Sequence, residues 1–294
     1  WASFALALAC FFPSTYLRST LRTASEFTKL SASQVIGALA LLALTLPVYW
    51  WGYYGLCVRM LGATLIEFAL LWHWRPIRVR PGFSKPALRH LLAVGLPIFA
   101  VGYLYSGWRS LDALWILNTL GAEPLGLFQL AVMTVAAGGI LSASVTLVLY
   151  PRMSEHFGRT GDAKGALALA NRPVVVLALV TLPLVVLAWV ALPPLTAWLL
   201  PSYVGGVRAA QWSLATVYAL SFAPPLVIFN VTRQQGRYAL AILAGTGVFA
   251  GAVLVGPLVA SDPLTWFAVA MALGTGVFVV VGNVLAQRGL QGRE

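Results

Sequence analysis

Charge is what this sequence has least of. Asp, Glu, Lys and Arg make up 9% of its 294 residues, against about 25% in a soluble domain, whose surface has to be wet. So few charges cannot coat a globule of this length, which excludes a water-soluble fold. Acidic residues are the scarcest of all: there are eight, scattered along the chain with no paired-carboxylate or metal-ligand motif. Two cysteines, Cys10 and Cys57, lie inside apolar runs, which rules out a disulfide framework or a zinc or redox motif. Three histidines, His73, His90 and His156, fall at or beyond apolar segments and form no ligand set. A glycine-rich phosphate loop is also missing, so the chain has no ATPase of its own. No hydrolase or transferase constellation appears. The chain is read as a non-enzyme without catalytic residues, metal or cofactor.

Apolar residues are abundant, at 60%, with a mean hydropathy of +0.86. Eight apolar stretches are long enough to cross a bilayer, near 34–50, 54–73, 91–117, 125–149, 173–200, 210–230, 238–258 and 264–287. Residues 2–12 form a further apolar stub, too short to span about 30 Å of hydrocarbon. It reads as the end of a helix whose beginning lies outside this chain. None of the stretches alternates apolar and polar positions as a barrel strand does. The fold class expected is therefore an all-α integral membrane protein of about nine transmembrane segments, one of them partial.

The net charge of +11 is explained by the loops. Arg18, Arg22 and Lys29 lie in the first loop, 13–33, and the next loop has no Lys or Arg. Arg75, Arg78, Arg80, Lys85 and Arg89 follow in 74–90, then a turn with only Glu123. Arg152, Arg159, Lys164 and Arg172 fill 150–172, and Arg208 stands alone in the next connection. Arg233 and Arg237 come next, then a loop with only Asp262, then Arg288 and Arg293. Basic and non-basic loops alternate without a break, and sixteen of the 19 Lys and Arg fall on one side. The positive-inside rule makes that side cytoplasmic and puts the C-terminus there. Without a basic stripe or module, nucleic acid is not an expected partner.

Tyr49, Trp50, Trp51, Tyr53 and Tyr54 mark an outer boundary, and Trp72 and Trp74 an inner one, as interface anchors do. A sugar-stacking platform at Trp50 and Trp51 is the sharper alternative. Residues 14–32 and 162–172 are mixed in polarity and basic, as amphipathic helices lying on the inner surface are. Pro47, Pro97, Pro183 and the pairs Pro193–Pro194 and Pro224–Pro225 fall inside apolar stretches, where a lost N–H must be compensated by neighbours or cavity water. Gly247 and Gly251 stand in the spacing of close helix packing, and Gly274, Gly276 and Gly282 recur later.

Four ionisable residues sit within the spans: Arg59 and Glu67 on one, Arg109 and Asp112 on the next. Charges at such depths are costly and usually face a bundle interior or a water path. Arg59 and Arg109 are the candidate substrate-binding residues, suited to an anion. Glu67 and Asp112 are the candidate ion- or proton-coupling residues. Arg109 and Asp112 are three apart, close enough on a helix to pair. Glu67 is deepest, roughly 20 Å from the outer end of its helix at 1.5 Å per residue, and has no local partner in the sequence. A neutralised structural set, with Arg109 bridged to Asp112, is the competing interpretation.

The stretches LRHLLAVGLPIF, YSGWRSLDALWILNTLGAEPLGLFQLA and VTLVLYPRMSEHFGRTGDAKGA, with LRSTLRTASEFTKLSASQVIGAL and GYYGLCVRMLGATLIEF upstream, resemble the polysaccharide transporters of the O-antigen flippase type. These belong to the flippase superfamily that also holds multidrug/cation antiporters. The resemblance implies a two-lobed helix bundle lacking its first helices. Residues 1–90 would be the remainder of the N-terminal lobe and 91–294 a C-terminal lobe of six helices. It implies flipping of an undecaprenyl-diphosphate-linked oligosaccharide from the cytoplasmic to the outer leaflet of a bacterial inner membrane, by alternating access. Arg59 and Arg109 would meet the diphosphate, because guanidinium matches phosphate oxygens. Transport would draw on a proton or sodium gradient. Expected partners are the lipid-linked oligosaccharide, membrane lipids, and a polymerase or other polysaccharide assembly protein. A lipid II flippase of peptidoglycan synthesis and a multidrug antiporter are the neighbouring alternatives. A membrane-embedded sugar transferase or ligase is the alternative from another class, disfavoured because the outer loops are too short to build a site.

Overall fold

The computed structural model describes residues 2–24, 26–76, 82, 84–259 and 262–291, and every regular element among them is helical. Among the described residues seven helical segments are long and apolar enough to cross a bilayer, and a bent helix pair makes an eighth where it counts as one span. The protein is a multi-pass membrane protein. The described chain divides into two compact units, Trp1–Ser84 and Lys85–Glu294.

The first unit holds α1 (Ala2–Thr23), α2 (Phe27–Ala43), α3 (Leu46–Trp51) and α4 (Tyr53–His73). Here the expected first loop is corrected: α1 does not stop near residue 12 but runs through Pro13 to Thr23. Its polar second half stays helical because its hydroxyls are satisfied locally. Ser14 donates to the Cys10 carbonyl at 2.8 Å, Thr15 to Phe11 at 3.0 Å and Thr23 to Ser19 at 3.0 Å. Nor does 14–32 lie on the membrane as one amphipathic surface helix. Leu17 and Leu21 of α1 pack with Leu30 of α2 and with Leu71 and Phe68 of α4. The apolar face is spent on protein neighbours.

The second unit holds α5 (Lys85–Thr119), α6 (Ala122–Thr160), α7 (Ala163–Ala168), α8 (Asn171–Leu199), a 3₁₀ turn (Pro201–Gly206), α9 (Val207–Leu220), a second 3₁₀ turn (Pro224–Val227), α10 (Ile228–Val231), α11 (Gln235–Val259) and α12 (Pro263–Gln291). At 1.5 Å per residue, α5 and α6 are about 50–60 Å long, well beyond the hydrocarbon. Residues expected in inner loops, Lys85 and Arg89 at the start of α5 and Pro151 to Arg159 at the end of α6, therefore continue helices. Glu155 and Arg159 pair at 2.8 Å along that extension. Residues 162–172 are likewise not a surface helix. Asp162 caps α7 through the Lys164 N–H at 2.9 Å, and Ala166 and Ala170 are buried in the main core. Arg78, Arg80 and Arg293 of the expected inner loops lie outside the described residues.

Burial sorts the helices. Half of the most apolar window of α12 is enclosed by protein, against 11% for that of α8, whose Leu179, Leu187, Val190 and Trp198 are exposed as lipid-facing side chains are. α12 lies closest to α11 where two glycines meet. A methyl on Gly245 would fall 2.7 Å from the Gly274 carbonyl oxygen, and one on Gly274 would fall 2.8 Å from that of Gly245. The expected Gly247 and Gly251 are not the contact, since nothing lies within 4 Å of either. Phe249 and Phe278 fill the space around the true crossing.

The most irregular stretch is the helix pair Pro201–Leu220 and Pro224–Val231, bent by 54°. Pro224 and Pro225 have no N–H, so the helix that would continue past Leu220 loses two donors. The chain tightens instead, with Ala223 N–H on the Leu220 carbonyl at 3.0 Å and Leu226 N–H on Ala223 at 2.9 Å. Two neighbouring helices supply the rest. The Ser142 hydroxyl of α6 donates to the Leu220 carbonyl at 2.7 Å, and the Asn283 amide of α12 donates to that of Phe222 at 3.0 Å. Without such donors a bilayer-embedded break would leave carbonyls unpaired.

Candidate substrate and coupling site

The first unit carries Arg59 and Glu67 on α4. Arg59 is half-buried, and its Nε is shielded from solvent with no hydrogen-bond partner. Glu67, expected to be unpartnered, is not: Arg18 of α1 donates to its Oε1 through Nε at 2.8 Å and also through Nη2. The two residues are 49 positions apart, which is why the sequence hides the pair. Arg18 is a residue that sequence reasoning counts only as a loop charge.

The second unit carries Arg109 and Asp112 on α5. A cavity of about 50 Å³ opens beside them. Each of its four walls is one helical face with spacing i, i+3, i+7. α5 presents Tyr105, Trp108, Arg109 and Asp112, and α6 presents Phe128, Ala131 and Val135. α9 adds Ser213, Thr216 and Leu220, and α12 adds Ala268, Met271 and Thr275. Leu220 is also the residue at which the bent crossing begins, so the break borders this cavity.

Arg109 and Asp112 line one cavity without forming a salt bridge. Among the described residues the close ion pairs are Arg18–Glu67, Lys29–Glu26 and Arg159–Glu155. The two side chains differ in setting: Arg109 is exposed, whereas Asp112 is 6% exposed. The Asp112 Oδ1 accepts the N–H of Ala113 at 2.7 Å. Nearby, the Trp108 indole N–H and the Thr216 hydroxyl are buried with no partner, and Thr275 is buried at the same wall. Buried polar groups without partners are uncommon and call for a reason. Here Trp108 and Thr216 both border the space beside one buried carboxylate.

Volume decides what this cavity can hold. A water needs about 10–15 Å³ of probe-occupied space, so about 50 Å³ accommodates a few waters or one cation. It cannot admit a sugar. Asp112 thus faces a space on the scale of a small ion. Tyr105, Trp108, Thr216 and Thr275 join Asp112 there. The Tyr105, Trp108, Arg109, Asp112 spacing was the one signal in the sequence that pointed to such a face.

The sequence matches the polysaccharide biosynthesis protein family over residues 3–203. No curated protein matches it closely enough to count. Among solved structures, the crystal structure of a mutant MATE protein has the same fold, with a TM-score of 0.74 and 13% sequence identity over 97% of this chain and 68% of that one. At that identity the likeness is one of fold. A helical bundle is thus the shared frame. This chain belongs to the polysaccharide biosynthesis protein family.

Proposed function

We propose that the protein flips a polyprenyl-diphosphate-linked oligosaccharide, an O-antigen or exopolysaccharide unit, from the cytoplasmic to the outer leaflet of a bacterial inner membrane. Family membership over residues 3–203 is the observation that carries this reading, since a multi-pass member of a polysaccharide family has a lipid-linked sugar as its natural cargo. Alternating access moves the headgroup while the lipid tail stays in the bilayer. Arg59, with its Nε unpartnered, and Arg109, exposed beside the cavity, are the cations offered to the diphosphate, each from its own unit. Asp112 in its small polar cavity takes up the coupling proton or sodium ion. Glu67 is less suited to that task than the sequence suggests, because Arg18 already neutralises it. The positive-inside rule keeps the C-terminus cytoplasmic, and a polymerase of the same assembly line is the expected downstream partner.

The test is cellular. A host lacking the gene should lose its surface polysaccharide and accumulate unpolymerised lipid-linked repeat units on the cytoplasmic face. Normal surface polysaccharide in that host would remove the reading. One observation favours a second reading, export of an organic cation: the Asp112 cavity is walled by Tyr105, Trp108 and Phe128, and aromatic faces attract cations. Its small volume counts against that reading for anything larger than an inorganic ion. Cells lacking the gene would then be sensitive to lipophilic cations with their polysaccharide intact.

A further inference from the structure

We propose that Arg18 is an anion-binding residue held in reserve by Glu67, and that the diphosphate of the incoming lipid displaces the Glu67 carboxylate from it. The inference rests on the flippase reading above. On that topology Arg18 lies five residues before the inner end of α1 and Glu67 six before the inner end of α4, about 8–9 Å from those helix ends. That is the side on which the substrate is loaded.

Three features of the pair fit exchange better than permanent structure. First, both Nε and Nη2 of Arg18 address one oxygen, Oε1 of Glu67. The guanidinium fork is built to address two oxygens in parallel, so the contact with Glu67 uses it incompletely, and a diphosphate offers several oxygens and more charge. Second, the pair is within reach of solvent, with side-chain exposures of 31% for Arg18 and 18% for Glu67. Third, α1 and α4 do not depend on it. Leu17 and Leu21 on α1 and Phe68 and Leu71 on α4 flank the pair and pack together with Leu30, so the helices stay joined when the ions part. α2 faces Glu67 with Gly37, and a methyl at Gly37 would still be 3.9 Å from the Glu67 Cβ. The α2 surface there carries no side chain against Glu67. Of the other basic side chains on these elements, Arg22 is exposed, Lys29 pairs with Glu26 at 3.0 Å, and Arg59 stands eight residues before Glu67 on α4 without pairing to it.

A double-mutant cycle in the full-length protein in nanodiscs tests this, with farnesyl diphosphate as the lipid probe and inorganic pyrophosphate as the free one. Removing the competitor by Glu67→Gln should tighten farnesyl diphosphate binding about tenfold, the scale of one charge-assisted hydrogen bond. Arg18→Ala should weaken it, and Glu67→Gln should have no effect once Arg18 is Ala. A gain for farnesyl diphosphate alone places the site at the bilayer edge, and an equal gain for pyrophosphate makes it a general diphosphate site. Both outcomes support the exchange. Unchanged or weaker binding in Glu67→Gln, with an unaltered melting temperature, would make the pair a structural bridge only. Flipping of a lipid-linked oligosaccharide by the wild type is measured alongside. Its absence would count against the flippase reading, whereas its presence with no gain from Glu67→Gln would overturn the exchange alone.

Discussion

Removing the Asn283 amide should loosen the second unit far more than an ordinary polar-to-apolar change in a membrane helix. Asn283→Leu keeps the branched shape and number of side-chain heavy atoms and deletes the donor to the Phe222 carbonyl at 3.0 Å, together with a bond to Val279 within α12 at 2.9 Å. The Val279 carbonyl keeps its place in a regular helix. The Phe222 carbonyl does not, because Leu226 N–H is already turned to Ala223. Leaving a buried acceptor unpaired costs about 1–3 kcal/mol, while measured side-chain hydrogen bonds between membrane helices average about 0.6 kcal/mol. The expected loss is therefore about 1–2 kcal/mol, at the upper end for membranes because the break offers no alternative donor. Ser142→Ala removes the bond to the Leu220 carbonyl and should cost somewhat less, since Ala223 N–H remains on that oxygen. Ser144→Ala is the control, as its hydroxyl bonds only the Ile140 carbonyl of its own helix. The assay is unfolding in mixed micelles followed by tryptophan fluorescence. Equal, negligible losses for Asn283→Leu and Ser144→Ala would refute the claim that the Pro224–Pro225 break is held from outside.

Two further outcomes follow from the packing and the cavity. Gly245→Val drives two methyl groups into the Gly274 carbonyl and the Phe278 side chain and should cost about 1–3 kcal/mol as overpacking, whereas Gly247→Ala, with open space around it, should be neutral. Thermal melting in detergent separates them. Asp112→Asn keeps the shape of the cavity and removes its charge. Gradient-driven transport should fall about 5–150-fold, the usual span of a coupling free energy, while substrate binding persists. An unchanged response to an imposed proton or sodium gradient would take Asp112 out of the coupling role.

The fold was legible in the sequence wherever long apolar runs set the pattern. The spans between 34 and 287 reappear as helices, and the doubled proline at 224–225 marks the bend. Legibility failed where polar residues are satisfied in ways that composition does not register. The second half of α1 reads as part of a separate surface helix because of Ser14, Thr15, Ser19 and Thr23, yet their hydroxyls bond back to the preceding turn and α1 continues unbroken. The first turns of α5 and the last turns of α6 are too polar for hydrocarbon, and so were not visible as helix. In the site, the four ionisable residues stood out because charge is rare in a span. Their partners did not, since Arg18 meets Glu67 only after α1 and α4 pack. The Arg109–Asp112 spacing pointed to a salt bridge that burial of one side chain and exposure of the other prevents. Likewise the Gly247–Gly251 spacing did not mark the contact, which Gly245 makes two residues earlier, because which face of α11 meets α12 is set by tertiary packing.

The central claim is that this chain carries a lipid-linked diphosphate sugar past cationic side chains, and reconstituted flipping tests it most directly. Full-length wild type, Arg59→Ala and Arg109→Ala would be incorporated into vesicles with a labelled polyprenyl-diphosphate oligosaccharide in the inner leaflet, and its appearance outside followed. The account predicts transport by the wild type and a loss of about tenfold or more for each alanine variant at equal incorporation, the scale of a lost charged hydrogen bond to phosphate. Undiminished flipping by both variants would contradict the assigned substrate path, and none by the wild type would contradict the function itself.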